Sequence, residues 1–503
     1  MNRATREILN EYEALFEKRK KEILECSDEI SVTGDSYYVS NNGSDDNDGR
    51  SADRPWKTLE KVTRADLKPG DGVFFKRGDL FRGKVFAASG VTYAAYGTGD
   101  KPKFYGSEMS LADPELWEEY DKEHHIWKCR TKLLDSGTLV FNDGEKHARK
   151  LIPSYENLQF VCREDTSKPF VLEDEMTNDL DMFWRFDEIL TRKPTRGKDF
   201  PIPYVENTYG DIFLRCDAGN PGEVFDEIES LARVNMFSSY GNKDVKFDNL
   251  CIKYVGAHGI GAGGGHVDGL TVTNCEFGWI GGSIQHYDGT DPNFMEGDRG
   301  SVTRYGNAVE ICGGCNNYTV SNNYIYEIFD AGITHQVGSS DKITMTNILY
   351  SDNMVERCVY GIEYFLDLRG GQKESYMKNY KIKGNFIRLT GYGWGQQRHN
   401  VDTPAHIKSW NYANPAYDYE ISNNIFDRSA YKMLHLVSCK DEFCPEMRDN
   451  TYIQHLGGTL GAYGGTENGV PDPIVFDNDV QSKINDIFGD KTAKVYYIDS
   501  DEN

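Results

Sequence analysis

From residue 244 onward one unit recurs: an apolar–polar strand, an asparagine, a second short strand and a glycine. Its instances are VKFDNLCI, LTVTNCEF, YTVSNNYIY, ILYSDNMV, YKIKGNFI, YEISNNIF and MRDNTYI, aligned on Asn249, Asn274, Asn323, Asn353, Asn385, Asn424 and Asn450. Successive gaps are 25, 49, 30, 32, 39 and 26 residues. The short gaps suit one coil of a parallel β-helix, and the long ones suit a coil carrying a loop insertion. Asparagine fits such a corner: it tolerates the left-handed conformation of a tight bend, and stacked amides bond one another from coil to coil. Seven residues after four of these asparagines stand Asp330, Tyr360, Tyr392 and Tyr431, a second alignment in the same period. Propeller blades repeat at about 40–50 residues, which the gaps near 25 do not match. The expected fold class is therefore all-β, a right-handed parallel β-helix.

The rest of the chain divides around that array. Residues 1–34 read as a helical cap, because Ile8, Leu9, Tyr12, Leu15, Phe16, Ile23 and Leu24 recur at roughly helical spacing between charges. Such a helix needs an apolar surface, and the open end of a β stack is the expected target. Residues 35–109 hold short strands broken by glycine or aspartate and read as the first coils. Residues 110–235 carry several prolines and the acidic stretches LADPELWEEY and DLDMFWRFDEIL, and read as an inserted β-rich region. Residues 236–480 form the main helix with the cleft, and 481–503 read as a tail.

Composition limits the partners. With 56 basic and 80 acidic residues the formal charge is −24, which argues against nucleic acid or an anionic membrane. No run approaches the roughly 18 apolar residues of a membrane span. The first residues show no secretory pattern, so a cytoplasmic location is expected. Eleven cysteines without dense spacing read as free thiols. Tyr, Phe and Trp number 31, 25 and 7, and exposed aromatics of that abundance suit sugars.

At two places the chain resembles a known family. YYVSNNGSDDNDGRSADRPWKTLEKV followed by LKPGDGVFFKRGDLFRG resembles the opening of right-handed β-helix proteins of the pectin-lyase-like superfamily. RYGNAVEICGGCNNYTVSNNYIYEIFDAGITHQ, then NMVERCVYGIEYF, resembles the central coils of its glycoside-hydrolase-like bacterial members. The resemblance covers about residues 35–475, except much of 110–235. It implies the fold, places RYGN-AVEI beside a cleft, and so implies Arg304 as a substrate contact.

Several motifs have plainer readings. Gly259–Gly264 matches G-x-G-x-x-G, but a strand follows where a nucleotide site needs a helix. Cys312-Gly-Gly-Cys315 lacks two further zinc ligands at suitable spacing. Asp288-Gly-Thr-Asp291-Pro-Asn293 is an acidic turn without the EF-hand pattern. No metal or cofactor is expected.

The chemical signal is a polar column. Aligning coils on their glycines brings together Asn307-Ala-Val-Glu310, Gly332-Ile-Thr-His335, Gly361-Ile-Glu363 and Gly393-Trp-Gly-Gln396-Gln397-Arg398. Glycoside hydrolysis needs two carboxyl groups, about 5–5.5 Å apart for retention and about 6.5–9.5 Å for inversion. Glu310, Asp330 and Glu363 are the catalytic candidates. Arg304, His335, Gln336, Tyr360, Trp394, Gln397 and Arg398 are the candidates for binding sugar. The leading expectation is a glycoside hydrolase with a carbohydrate substrate. The alternatives are a polysaccharide lyase, with Arg299, Arg304, Arg398 or His335 serving β-elimination, and a non-catalytic carbohydrate-binding β-helix.

Overall fold

The computed structural model describes residues 2–151, 171–185, 191–192, 200–201, 209–288, 301–338, 341–368, 374–398 and 404–499. Each coil contributes one strand to each of three sheets. One coil runs through Tyr376–Lys383, turns at Asn385, continues through Phe386–Thr390 and then Ala405–Ser409; the next begins at Ala416–Ser422. Strands of successive coils pair in parallel and in register, as in Tyr380↔Tyr419, Phe386↔Ile425 and Ile407↔Leu434. The fold is the expected right-handed parallel β-helix. Among the described residues no helix is long and apolar enough to cross a membrane.

The alternation of each strand sends every second side chain inward. Met377, Tyr380 and Ile382 enter the core, while Lys378, Lys381 and Lys383 face water. The same inward positions stack between coils: the rings of Tyr380 and Tyr419 lie 4.4 Å apart and nearly parallel.

The asparagine corner divides its two jobs between neighbouring positions. Asn323, Asn353, Asn385 and Asn424 each donate from Nδ2 to the next coil's Oδ1 at 2.9–3.0 Å, and Asn450 ends the line on Asp490. The residue just before each one takes the left-handed bend: Asn322, Asp352, Asn423 and Asp449 have φ of 56–58°, and Gly384 has 68°. Strand register corrects the sequence alignment here. Asn249 and Asn274 belong to the bend position, with φ of 59° and 54°, and Leu250 and Cys275 stand where the ladder would continue. Cys275 joins it only through its backbone N–H, which donates to Asn323.

Helix α1 (Arg6–Leu24) is capped by Thr5, whose side chain accepts from the Ile8 N–H. It covers a flank and not an open end. Phe16 packs edge-on to Phe386 at 5.0 Å and contacts Tyr324 and Met354, all on the outer face of one sheet. Arg388 of that sheet sits over the Phe16 ring and pairs with Glu13, Glu17 and Glu356. Asn2–Arg3 pairs in parallel with the Lys494–Ile498 strand, the final rung of the same sheet. Near the C-terminal end Phe476 and Val480 enter the core together with Ile484 and Phe488 of the 481–503 segment read as a tail. The inserted region forms an antiparallel sheet that includes Trp117–Asp121, Ile126–Cys129, Asp181–Arg185 and Tyr209–Arg215, with its own apolar cluster around Trp117, Met182, Trp184 and Leu214.

Candidate active site

The third sheet carries one outward column in which Gly261, Glu310, Thr334, Glu363, Lys408 and His435 occupy the same register position in consecutive strands. Val309 and Ile311 point into the core, as do Ile362 and Tyr364, so alternation forces Glu310 and Glu363 outward on one face. Two rungs of about 4.8 Å separate them, or roughly 9.6 Å along the sheet. Thr334 lies between, and its hydroxyl donates to Glu363 Oε2 at 3.4 Å.

The two carboxyl groups have opposite surroundings. Glu310 Oε2 lies 2.6 Å from His258 Nδ1, and it accepts from Asn307 Nδ2 at 3.0 Å while Oε1 accepts from Gln336 Nε2 at 3.2 Å. Burial pushes this carboxyl up, but the His258 charge and the three hydrogen-bonding side chains outweigh it and hold the group below the usual carboxylate range. Asn307 is itself fixed, accepting the Ala331 N–H at 2.8 Å. Glu363 is equally buried, and its one strong donor is the indole N–H of Trp410. Burial, then the neighbouring Asp330, raises its pKa to about 8.

Asp330 precedes the Ala331–Gly338 strand and forms an ion pair with Arg398. Burial raises its carboxyl, with Arg398 acting against that rise. The Arg398 guanidinium also lies 5.7 Å from the centre of the Tyr360 ring, and Tyr360 meets Trp410 edge-on at 6.2 Å. Glu310, Asp330, Glu363, Gln336, Tyr360 and Arg398 therefore come together.

Four other expected residues do not. His335 aligns with Ile311 and Tyr364, on the inward side; it is fully buried, contacts the Tyr350 hydroxyl and Met377 sulfur, and burial lowers its pKa to about 3. Arg304 is also fully buried and donates to the carbonyls of Gly282, Gly137 and Gln397 with its guanidinium over Phe329, so it braces loops. Trp394 packs between Trp279 and Phe329 with its indole N–H on the Glu327 carbonyl. Gln397 bonds the Ala148 carbonyl and the Lys150 N–H, tying this loop to the inserted region. Arg299, Asp291 and Asn293 lie outside the described residues, as does the side chain of Asp288. Gly261 and Gly263 sit in a sheet strand, and Cys312 and Cys315 are free thiols on separate strands.

Sequence patterns do not reach His258 or Trp410. Each is joined to its carboxylate across 52 and 47 residues of chain, and neither belongs to a motif. Beside Glu310 opens a cleft of about 600 Å³, whose lining includes Phe86, Ser238, Tyr240, His258 and Tyr305.

Three stacked, mainly parallel sheets, one of them carrying an outward column with two glutamates, make up the β-helix of this chain. No family model matches the chain. A lacto-N-biosidase of Bifidobacterium longum subsp. longum is 32% identical over 122 residues, covering 22% of this chain and 8% of that protein. This chain thus matches only a small part of that relative's length. Among solved structures, a glycoside hydrolase shares 12% identity at a TM-score of 0.45, covering 93% of this chain and 95% of its own. A GH136 lacto-N-biosidase from Eubacterium ramulus shares 13% at a TM-score of 0.39, covering 98% and 70%.

Proposed function

We propose that the protein hydrolyses a glycosidic bond, with Glu363 as general acid and Glu310 as general base. The observation that carries this reading is the opposed tuning of two carboxyl groups on one outward column. Near neutral pH, Glu363 keeps a proton to give the leaving oxygen, while Glu310 stays ionised and takes one from water. A separation of two rungs lies near the upper end of the inverting range, so the product carries the opposite anomeric configuration. Asp330 and Arg398 form the polar wall beside them, Gln336 lies next to Glu310, and the buried Tyr360 backs Arg398 and Trp410. The segment shared with a lacto-N-biosidase supports the hydrolase reading over the lyase one.

The test is a panel of oligosaccharides and aryl glycosides assayed with the wild type, Glu310→Gln, Glu363→Gln and Asp330→Asn. New reducing ends of inverted configuration, seen by NMR at early times and lost in both Glu variants, are expected. Full activity in both Glu variants overturns the assignment. An unsaturated product absorbing in the near ultraviolet favours elimination, and sugar binding without turnover favours a binding protein.

A further inference from the structure

The cleft next to Glu310 has a floor and a far wall set by the same column. Strand register places Phe86, Ser238, Gly261 and Glu310 in consecutive positions. Three rung spacings of about 4.8 Å put Phe86 roughly 14 Å from Glu310, with only a serine and a glycine between. Phe86 is 53% exposed and Tyr240, in the neighbouring column, is 51% exposed, which is unusual for large aromatics lining a cavity.

Tyr240 is held in place. Its hydroxyl accepts from Asn235 Nδ2 at 2.8 Å, and Asn235 Oδ1 accepts the His258 N–H at 3.0 Å. His258 is the residue in contact with Glu310, so the aromatic platform and the carboxylate share one brace. A side chain at Gly261 would place its Cβ 3.3 Å from both the Tyr240 hydroxyl and Asn235 Nδ2, filling the slot and crowding the tether. The lining carries charges of both signs, Lys84 and Arg233 against Glu108.

We infer that this slot is a stacking subsite for a neutral pyranose unit of the substrate, one or more units beyond the bond cleaved, with Phe86 and Tyr240 as its platforms. An aromatic ring meets the apolar C–H face of a sugar, while Ser238 and His258 lie along the polar edge. The inference rests on the hydrolase reading for its position but not for its test.

The test uses full-length Glu363→Gln, which binds without cleaving, and saturation-transfer NMR with lactose, cellobiose and xylobiose at millimolar concentration. Strong saturation on the C–H protons of one ring is expected for at least one disaccharide. Phe86→Ala and Tyr240→Ala should each weaken it fivefold or more, and Tyr240→Phe should keep it. Both rings are half-exposed, so their truncation leaves the core intact, and circular dichroism checks this. No saturation with any of the three, or equal saturation in all variants, overturns the subsite. Because no turnover is needed, failure here leaves the catalytic assignment standing, and loss of that assignment leaves this result standing.

Discussion

His258 Nδ1 sits 2.6 Å from Glu310 Oε2, and both side chains are almost fully removed from water. A carboxylate buried at a sheet surface would normally take up a proton; this contact keeps it ionised. Replacing His258 with alanine removes the largest influence opposing burial, so the Glu310 pKa rises. The acid limb of the kcat/KM profile should move to higher pH, and at pH values below both the old and the new limb activity should fall about tenfold for every pH unit that the limb moves. An unmoved acid limb would separate His258 from the ionisation of Glu310.

Glu363 gives a stability signature of its own. Its pKa is raised to about 8 in the folded chain, against 4.5 when unfolded. Between those values the unfolded chain releases a proton that the folded chain keeps, so the contribution to stability is full below pH 4.5 and is lost as pH rises to 8. Glu363→Gln should flatten that part of the curve of Tm against pH relative to the wild type. Parallel curves for the two proteins would contradict the raised pKa.

Arg398 and Asp330 should behave as a unit. Arg398→Met strands a buried carboxyl group and should cost about 3–5 kcal/mol in urea unfolding, whereas Arg398→Met with Asp330→Asn should recover most of it. If the pair serves the reaction, activity stays low in the double variant. Recovery of activity along with stability would limit the pair to a structural role.

The two asparagine positions predict different losses. Asn385→Ala takes the Oδ1 acceptor from the Asn353 N–H and side-chain amide and the Nδ2 donor from the Tyr350 carbonyl, all buried, at about 1–3 kcal/mol. Asn423→Gly, at a φ of 57°, should cost a few tenths at most, because glycine takes that bend without strain. Chemical denaturation of both variants checks the ranking.

The repeat makes the fold legible because corner chemistry is local: a bend residue followed by a stacking amide leaves a mark in every coil. The offset at Asn249 and Asn274 arises because asparagine suits both positions. The site is legible only where alternation is followed strictly. Counting two residues from the glycine in Gly361-Ile-Glu363 reaches the outward column, and the same count from Gly332 reaches Thr334. His335 lies one step further, and one step turns a side chain from the cleft into the core. Arg304, Trp394 and Gln397 carry side chains that suit sugars, but contacts to Gly137, Trp279 and Ala148 claim them. The contacts to Gly137 and Ala148 reach the inserted region and that to Trp279 joins two coils, and nothing in the local sequence marks them.

Residues 2 and 3 pair with residues 496 and 497, and Phe16 lies against rungs contributed by residues 324, 354 and 386. During synthesis, then, the arm that carries Phe16 has nowhere to dock until hundreds of later residues have been made. The Phe16 surface is complete once residue 386 is in place, whereas residues 2 and 3 gain their partner strand only with residues 496 and 497, so the two ends of the arm depend on different rungs.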